Sequence, residues 1–304
     1  MTKNWLVNKL LTNSENLIEG VVLRAYSGHY YVHDGKEEWE CSLRGRFRHE
    51  KQQVLPGDRV VLRPGCGRFG VIEQVLPRRT TLVRPPVANV DQAVIVFAAR
   101  EPDPNPGLMD RFLIMASING VDPLICFNKA DLTKDGQIDL ISRYRENYRV
   151  VVTSAKTGEG LDLLREALQG KVSVFAGPSG VGKSTILNAL HPALSLKTAE
   201  LSLKLKRGRH TTRHVELIAL PQGGLVADTP GFSSLDLPDL KPEELPGHFP
   251  EIDVYLGKCY FNRCLHDREP GCAVKSAVES GQIDQARYLQ YLGFLKELRE
   301  RRRY

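Results

Sequence analysis

The sequence has 304 residues, of which 41% are hydrophobic and 26% charged, and its formal net charge is +6. This composition excludes a wholly disordered chain, and the length exceeds one average domain, so we expect two or three packed units. No stretch reaches the roughly 20 apolar residues of a bilayer-spanning helix, and residues 1–11 lack the pattern of a signal peptide. We therefore expect a cytoplasmic protein without membrane association. The positive charge favours nucleic acid as partner, although a few surplus basic residues without any partner explain it as well.

Short β-type runs separated by glycine turns occupy residues 1–80. The runs are Leu17–Leu23, His29–Val32, Asp58–Leu62 and Gly70–Leu76. This pattern predicts a small barrel or sandwich rather than βαβ units. Between the runs lies a basic stretch from Arg44 to His49, with Phe47 among its arginines and Lys51 close behind. Such a stretch suits RNA phosphates and stacked bases, whereas a solvated loop that only aids solubility is the alternative.

Residues 81–245 have a different pattern, in which continuous apolar runs alternate with helical stretches. The runs are Ala93–Ala98, Pro123–Phe127, Arg149–Val152, Val172–Ala176 and Gly224–Ala227. They predict a mainly parallel sheet that is covered on both faces. Ligands of such sheets bind beyond the carboxyl ends of the strands, and glycine-rich or charged motifs follow these runs directly.

The first of these motifs matches G-x-x-x-x-G-K-[ST] between an apolar run and a helical stretch. It reads Gly177-Pro178-Ser179-Gly180-Val181-Gly182-Lys183-Ser184, and Thr185 follows it. The glycines let successive backbone N–H groups converge on phosphate oxygens at a helix N-terminus. Lys183 is expected to reach the terminal phosphates and the Ser184 hydroxyl to bind Mg²⁺. The motif therefore predicts a nucleoside triphosphate site.

Two further segments indicate that the base is guanine. Asn128-Lys129-Ala130-Asp131 ends one apolar run, and Ser154-Ala155-Lys156 follows the next. The carboxylate of Asp131 can accept both the N1–H and the exocyclic amine of guanine, a donor pair that adenine does not offer. Capping of a helix by Asp131 explains the first segment alone equally well, but both segments together favour binding of GTP and GDP.

The remaining candidates would sense the γ-phosphate. Asp228-Thr229-Pro230-Gly231 follows an apolar run, so Asp228 is expected to hold Mg²⁺ through water and the Gly231 N–H to meet the γ-phosphate. Upstream, Thr212, or else Thr211, is expected to bind Mg²⁺ and the γ-phosphate only in the triphosphate state. A flexible basic loop is the alternative reading of that upstream segment.

Position 232 carries phenylalanine, where many GTPases have the glutamine that orients the attacking water. Phe232 cannot do this, which predicts slow intrinsic turnover and a missing group that another loop or a bound partner supplies. His210 is the candidate polar group within the chain.

Three of the six cysteines cluster with one histidine near the C-terminus. The set is Cys259, Cys264, His266 and Cys272. Three thiolates and one imidazole suit a closed tetrahedral zinc site, although three unrelated buried thiols are the alternative. Basic residues flank the cluster and end the chain, namely Lys258, Arg263, Arg268 and the run Arg299–Arg303. They suit rRNA phosphates, and a solvated helix end explains the final run as well.

The motif order is unusual, because the base-recognition segments at 128 and 154 precede the phosphate loop at 177. This order resembles the circularly permuted GTPases, since permutation can leave a core intact. Together with the barrel-like N-terminus and the cysteine–histidine cluster, nearly the whole chain resembles the ribosome small-subunit-dependent GTPase A (RsgA) family.

That resemblance implies a multidomain protein. It implies an oligonucleotide-binding (OB-type) barrel over residues 1–80, a circularly permuted α/β P-loop GTPase domain over 81–245 and a mostly helical domain that binds one Zn²⁺ over 246–304. It also implies action in late maturation of the small (30S) ribosomal subunit through its rRNA, with hydrolysis stimulated by that subunit, and we expect a monomer.

We further hypothesise that the contacts of Gly231 and Thr212 orient the zinc domain, so that the nucleotide controls RNA affinity. Two alternatives stay open: a protein that uses GTP as a structural ligand, and a GTPase with another anionic partner such as transfer RNA or a membrane.

Overall fold

The computed structural model describes residues 17–45, 53–83, 85–133, 140–192, 215–228, 237 and 240–301. Within these residues a β-barrel, an α/β sheet and a helical C-terminal unit follow one another along the chain. This succession confirms the predicted fold class. The boundaries at 80/81 and 245/246 stay a prediction.

The N-terminal barrel has five strands: β1 Ile18–Tyr26, β2 His29–His33, β3 Glu38–Leu43, β4 Arg59–Pro64 and β5 Phe69–Val75. Their order is β1-β2-β3-β5-β4, and pairing of β4 with β1 closes the barrel. Only β3 and β5 run parallel. Small and branched apolar side chains fill the interior, among them Val22, Val32, Val60, Leu62 and Ile72. The topology is that of a Greek-key OB-type barrel.

A hairpin formed by β6 Thr81–Val83 and β7 Pro86–Ala88 leads from the barrel to the sheet. It packs against the barrel at Gly57, whose φ of +89° and contact with the Ala88 carbonyl leave no room for a side chain. Asn89 donates from Nδ2 to the Gly57 carbonyl at 2.9 Å. The buried Asp58 accepts from Arg78 at 2.7 Å. These contacts attach the barrel to the sheet.

The central sheet contains β8 Gln92–Ala98, β9 Asp122–Asn128, β10 Arg149–Val152, β11 Val172–Ala176, β12 Leu217–Ala219 and β13 Leu225–Asp228. The order across the sheet is β10-β9-β8-β11-β13-β12. Every pair is parallel except β12 with β13. The helices are α1 Pro106–Ile118, α2 Leu140–Arg145, α3 Leu161–Leu168 and α4 Lys183–Leu190. The side chains of the inner strands belong to two apolar clusters. Every residue of β8 is buried. The predicted parallel sheet with two covered faces is confirmed.

The C-terminal unit contains α5 Pro250–Asp253, α6 Ala273–Glu279 and α7 Gln285–Arg301. Its core is built around Phe249 and Tyr291, whose rings meet edge to face at 5.4 Å, and it includes Ile114 of α1. Leu237, Leu240 and Leu245 also belong to this core although they precede residue 246. The C-terminal unit therefore packs directly on helix α1 of the sheet unit.

A buried arginine fixes this packing. Arg287 of α7, which is 2% exposed, donates to Asp110 of α1 and, at 2.6 Å, to Glu251. Its guanidinium lies 4.8 Å from the ring centre of Tyr144 and 5.1 Å from that of Phe249. Burial raises the pKa of Asp110 to about 6, although Arg287 opposes the shift. Removing one partner of such a group leaves a buried charge, which costs about 3–5 kcal/mol.

Among the helices of the described residues, none is both long and apolar enough to cross a lipid bilayer.

Candidate active site and metal centre

Parallel strands bring the sequence motifs to one edge of the sheet. Asn128 ends β9 and pairs with Ala98 of β8, while Thr153 directly follows β10. Gly177 follows β11, and Asp228 ends β13 opposite Phe175 of β11. Because the carboxyl ends of parallel strands share an edge, segments a hundred positions apart in the chain lie side by side.

The phosphate loop follows β11 and has the backbone of an anion-binding turn. Gly177, Gly180 and Gly182 have φ values of +134°, +81° and +91°, which side-chain-bearing residues rarely adopt. A Cβ at Gly177 would also clash with the Val96 carbonyl. Helix α4 begins at Lys183, whose Nζ donates to the Gly177 and Pro178 carbonyls at 2.8 Å each. The ammonium group therefore lies within the loop, beside the positive end of the helix dipole.

Asn128 joins this loop to the other motifs. Its Nδ2 donates to the Val181 carbonyl at 2.9 Å, and its Oδ1 accepts from the Ala155 amide at 3.1 Å and from Thr153 Oγ1 at 3.3 Å. The side chain of Asn128 is buried, and a Cβ at Gly182 would clash with its Nδ2. The carboxamide thus connects the loops of three motifs.

Asp131, Ser154 and Lys156 lie together beside Asn128. Ser154 Oγ donates to Asp131 Oδ1 at 2.7 Å, and Lys156 Nζ lies 4.0 Å from Asp131 Oδ2. Lys129 has a φ of +62° and donates from Nζ to the Glu101 carbonyl. A cavity of about 250 Å³ opens here and is lined by Asn128, Lys129, Asp131, Leu132, Ala155, Lys156, Gly182 and Thr185. A carboxylate at the wall of a cavity beside the phosphate loop can recognise a base whose phosphates bind that loop.

Several predicted residues lie outside the described part of the chain. These are the basic stretch from Arg46 to Lys51, the switch candidates His210, Thr211, Thr212 and Gly231, and Phe232. The backbone of Asp228 ends strand β13 at the edge of the site, and Ser184 is half-buried in the first turn of α4. The assignments of Mg²⁺ and γ-phosphate ligands therefore stay predictions.

The four metal-ligand candidates converge in the C-terminal unit. The Sγ atoms of Cys259, Cys264 and Cys272 and a ring nitrogen of His266 all lie within 4.8 Å of one another. All six cysteines are in the described part of the chain, and none forms a disulfide.

The distances fit a tetrahedral zinc site. Bonds of about 2.3 Å to sulfur and about 2.0–2.1 Å to nitrogen give S···S edges of about 3.8 Å and S···N edges of about 3.5 Å. Cys259 and Cys272 have their sulfurs 3.9 Å apart, and His266 Nδ1 lies 3.5 and 3.4 Å from them. Burial lowers the pKa of His266 and so favours the neutral imidazole that can bind a metal. The donor set therefore fits one Zn²⁺ with no position left open.

Hydrogen bonds around the cluster hold its loops. The amides of Ala273 and His266 donate to the sulfurs of Cys259 and Cys264 at 3.3 and 3.4 Å. Glu269 accepts from the amides of Leu265 and Asp267 at 3.0 Å each. Such outer contacts orient metal ligands, which supports a structural rather than a catalytic role for the metal.

Comparison with protein families gives two matches. The RsgA GTPase model matches residues 75–238, and the RsgA N-terminal domain model matches residues 19–72.

Curated relatives match along nearly their whole length. The small ribosomal subunit biogenesis GTPase RsgA of Moorella thermoacetica is 52% identical over 287 residues, which cover 94% of this chain and 99% of that protein. The protein of the same name from Bacillus cereus is 48% identical over 289 residues, which cover 93% of this chain and 98% of that protein.

Two solved structures also match this chain over nearly its whole length. YjeQ from Thermotoga maritima has a TM-score of 0.80 and 39% identity, covering 93% of this chain and 98% of its own. YloQ, described as a circularly permuted GTPase, has a TM-score of 0.80 and 40% identity, covering 96% and 98%.

Proposed function

Since this chain belongs to the RsgA GTPase family and hydrolyses GTP to GDP and phosphate, we propose that it acts in the cytoplasm in late maturation of the small (30S) ribosomal subunit. Its cofactors are GTP or GDP with Mg²⁺, and one Zn²⁺ fits the Cys₃His cluster. The observation that carries the proposal is the hydrogen bonding of Asn128, because one side chain connects the segments expected to bind base and phosphates.

Each motif residue has a role in this proposal. Asp131 accepts the two donors of guanine, and Ser154 keeps its carboxylate in place through the 2.7 Å hydrogen bond. Lys183 leaves the loop carbonyls to bind the terminal phosphates, while loop N–H groups bind phosphate oxygens. Ser184, Thr212 and, through water, Asp228 would hold Mg²⁺, which neutralises charge on the phosphates.

Hydrolysis by the isolated chain is slow in this proposal, because Phe232 cannot orient water. The subunit stimulates it, either by supplying a polar group itself or by acting together with His210 of this chain.

Two connections would transmit the effect of GTP or GDP binding to the zinc unit and to the barrel, the two units that would bind RNA. Towards the zinc unit, Gly231 lies just before the chain enters the C-terminal core. Towards the barrel, Glu216 directly precedes β12 and accepts from Arg24 of β1 at 3.1 Å. Arg24 also lies 4.1 Å above the ring of Tyr31 and donates to Glu38 at 2.6 Å. The ion pair of Arg24 with Glu216 is the contact through which a nucleotide-dependent change before Glu216 would reach the barrel.

Phosphate release under multiple turnover, with and without purified small subunits, tests this function. We expect slow release alone and a large stimulation by small but not large subunits. A protein that uses GTP only as a structural ligand would give no stimulation.

Co-sedimentation at two salt concentrations tests the partner and the switch. We expect binding to small subunits that weakens with salt, resists competition by transfer RNA or anionic vesicles, and is tighter with a non-hydrolysable GTP analogue than with GDP. Equal affinity in both nucleotide states would refute the switch, and displacement by transfer RNA would refute the partner.

A further inference from the structure

The first loop of the zinc cluster presents two aromatic rings to solvent. Cys259 and Cys264 fix its two ends, and Tyr260 and Phe261 between them are 82% and 45% exposed. Tyr260 is the most exposed of the large hydrophobic side chains in the described part of the chain. The two rings are adjacent and so form a continuous exposed apolar patch, a feature that interaction sites share.

The backbone of this loop is held firmly. The Tyr260 amide donates to the Gly271 carbonyl at 3.0 Å, which joins the two halves of the cluster. Gly271 has a φ of +64°, and a Cβ there would come within 3.0 Å of the Tyr260 Cβ. The rings of Tyr260 and Phe261 contact each other edge to face, with centroids 5.0 Å apart. Little conformational entropy is therefore lost when a partner binds the rings.

Exposed positive charges accompany the rings. Lys258 precedes the loop and carries its ammonium group 5.5 Å from the Tyr255 ring centre, and Arg263 lies exposed in the loop. Arg268 and Arg299, in contrast, are both engaged with Asp267. An aromatic platform beside exposed cations matches an unpaired nucleotide, which offers a base to stack and a phosphate to contact.

We propose that Tyr260 and Phe261 form a stacking platform for unpaired bases of RNA, with Lys258 and Arg263 contacting the adjoining phosphates. The inference rests on the proposed function, since the small-subunit rRNA would supply these nucleotides. A nucleotide carries a flat base and an anionic phosphate in one unit, so a single ligand matches both the rings and the cations.

The test compares four proteins: the wild type, Tyr260→Ala, Tyr260→Leu and Tyr260→Phe. Stacking on one aromatic ring corresponds to a roughly 5- to 150-fold change in affinity. We expect Tyr260→Ala and Tyr260→Leu to bind both small subunits and deproteinised small-subunit rRNA at least about fivefold more weakly than the wild type. Tyr260→Phe should bind like the wild type, because stacking needs the ring and not the hydroxyl.

The matched control is Leu163→Ala, since Leu163 is 57% exposed and lies on helix α3 of the sheet unit. It should bind subunits normally. Zinc content and GTP affinity should be unchanged in all variants, which excludes misfolding as the cause.

Wild-type affinity in Tyr260→Ala would overturn the platform, and so would full binding by Tyr260→Leu, which indicates an apolar protein contact. A defect on subunits but not on deproteinised rRNA would also overturn it. Failure of the proposed function is distinct, because then the wild type itself would neither bind small subunits nor be stimulated by them.

Discussion

At the scale of single residues, the side chain of Asn128 connects the segments that are expected to bind the base and the phosphates. The N-K-x-D spacing identified Asn128 as part of base recognition. It did not predict the hydrogen bonds of the carboxamide with the Val181 carbonyl and the Ala155 amide. Those contacts depend on which loops meet at the edge of the sheet, and local spacing carries no such information. Thr153 was missed for the same reason, although its place directly after strand β10 is a usable signal.

Asp131→Asn should change the base preference. The carboxylate accepts two donors from guanine, whereas an amide can accept from N1–H and donate to the C2 oxygen of xanthine. Because hydrogen bonds to a charged group contribute about 1.5–3 kcal/mol each, we expect GTP affinity to fall on the order of 100-fold. Affinity for xanthosine triphosphate should rise, as measured by competition with a fluorescent nucleotide.

The matched control is Asp162→Asn, which makes the same chemical change at a carboxylate that is 96% exposed and paired only with Arg165 within the described residues. It should leave both affinities unchanged. If Asp131→Asn bound GTP like the wild type, Asp131 would have no part in recognising the base.

At the scale of elements, helix α7 organises the loop of the zinc cluster. Tyr288 donates to the His266 carbonyl at 2.7 Å, and Tyr291 donates to the Leu265 carbonyl at 2.6 Å. Arg299, which the sequence assigned either to RNA or to a solvated helix end, pairs with Asp267 at 2.6 Å. The resemblance implied a mostly helical C-terminal domain, but the sequence did not show which loop a helix would cover, because that depends on tertiary packing.

Strand β3 was not recognised from the sequence. Its residues Glu38-Trp39-Glu40-Cys41-Ser42 include charged side chains, and only Cys41 is fully buried. A barrel strand with one face in solvent gives only a weak apolar signal, and β3 was missed for this reason. The apolar pattern did find the other four strands.

Cys259→Ser should remove the metal and loosen the C-terminal unit. Zinc bound by four protein ligands contributes directly to folding, and Cys259 also accepts the Ala273 amide at the start of α6. We expect the wild type to contain about one zinc per chain and the variant far less, with faster proteolysis after residue 240. GTP affinity should change little, since the nucleotide site lies in another unit.

Cys66→Ser is the matched control, because Cys66 is an exposed cysteine outside the cluster. It should keep its zinc and its resistance to protease. A full complement of zinc in Cys259→Ser would contradict the assignment of the ligands.

At the scale of the whole molecule, two arginines connect units that the sequence pattern predicts as separate domains. Arg287 joins the zinc unit to helices α1 and α2, and Arg24 joins the barrel to the segment entering β12. The sequence predicted three units and their order, because composition and motifs change along the chain. It did not predict either connection, since Asp110 and Glu216 belong to no motif and their partners are 177 and 192 positions away.

Circular permutation changes the order of the strands in the chain but not their neighbours in the sheet. The base-recognition strands β9 and β10 come before the phosphate-loop strand β11, yet β8 separates β9 from β11 by only one position. We therefore expect segments between residues 128 and 231 to form one nucleotide site.

The most direct test is a titration of the full chain with labelled GTP and Mg²⁺ in the presence of competing nucleotides. We expect saturable binding of one GTP per chain, displaced by GDP but not by ATP, and lost in Lys183→Ala. Absence of saturable binding, or displacement by ATP as effective as by GDP, would contradict a single guanine-nucleotide site at this edge of the sheet.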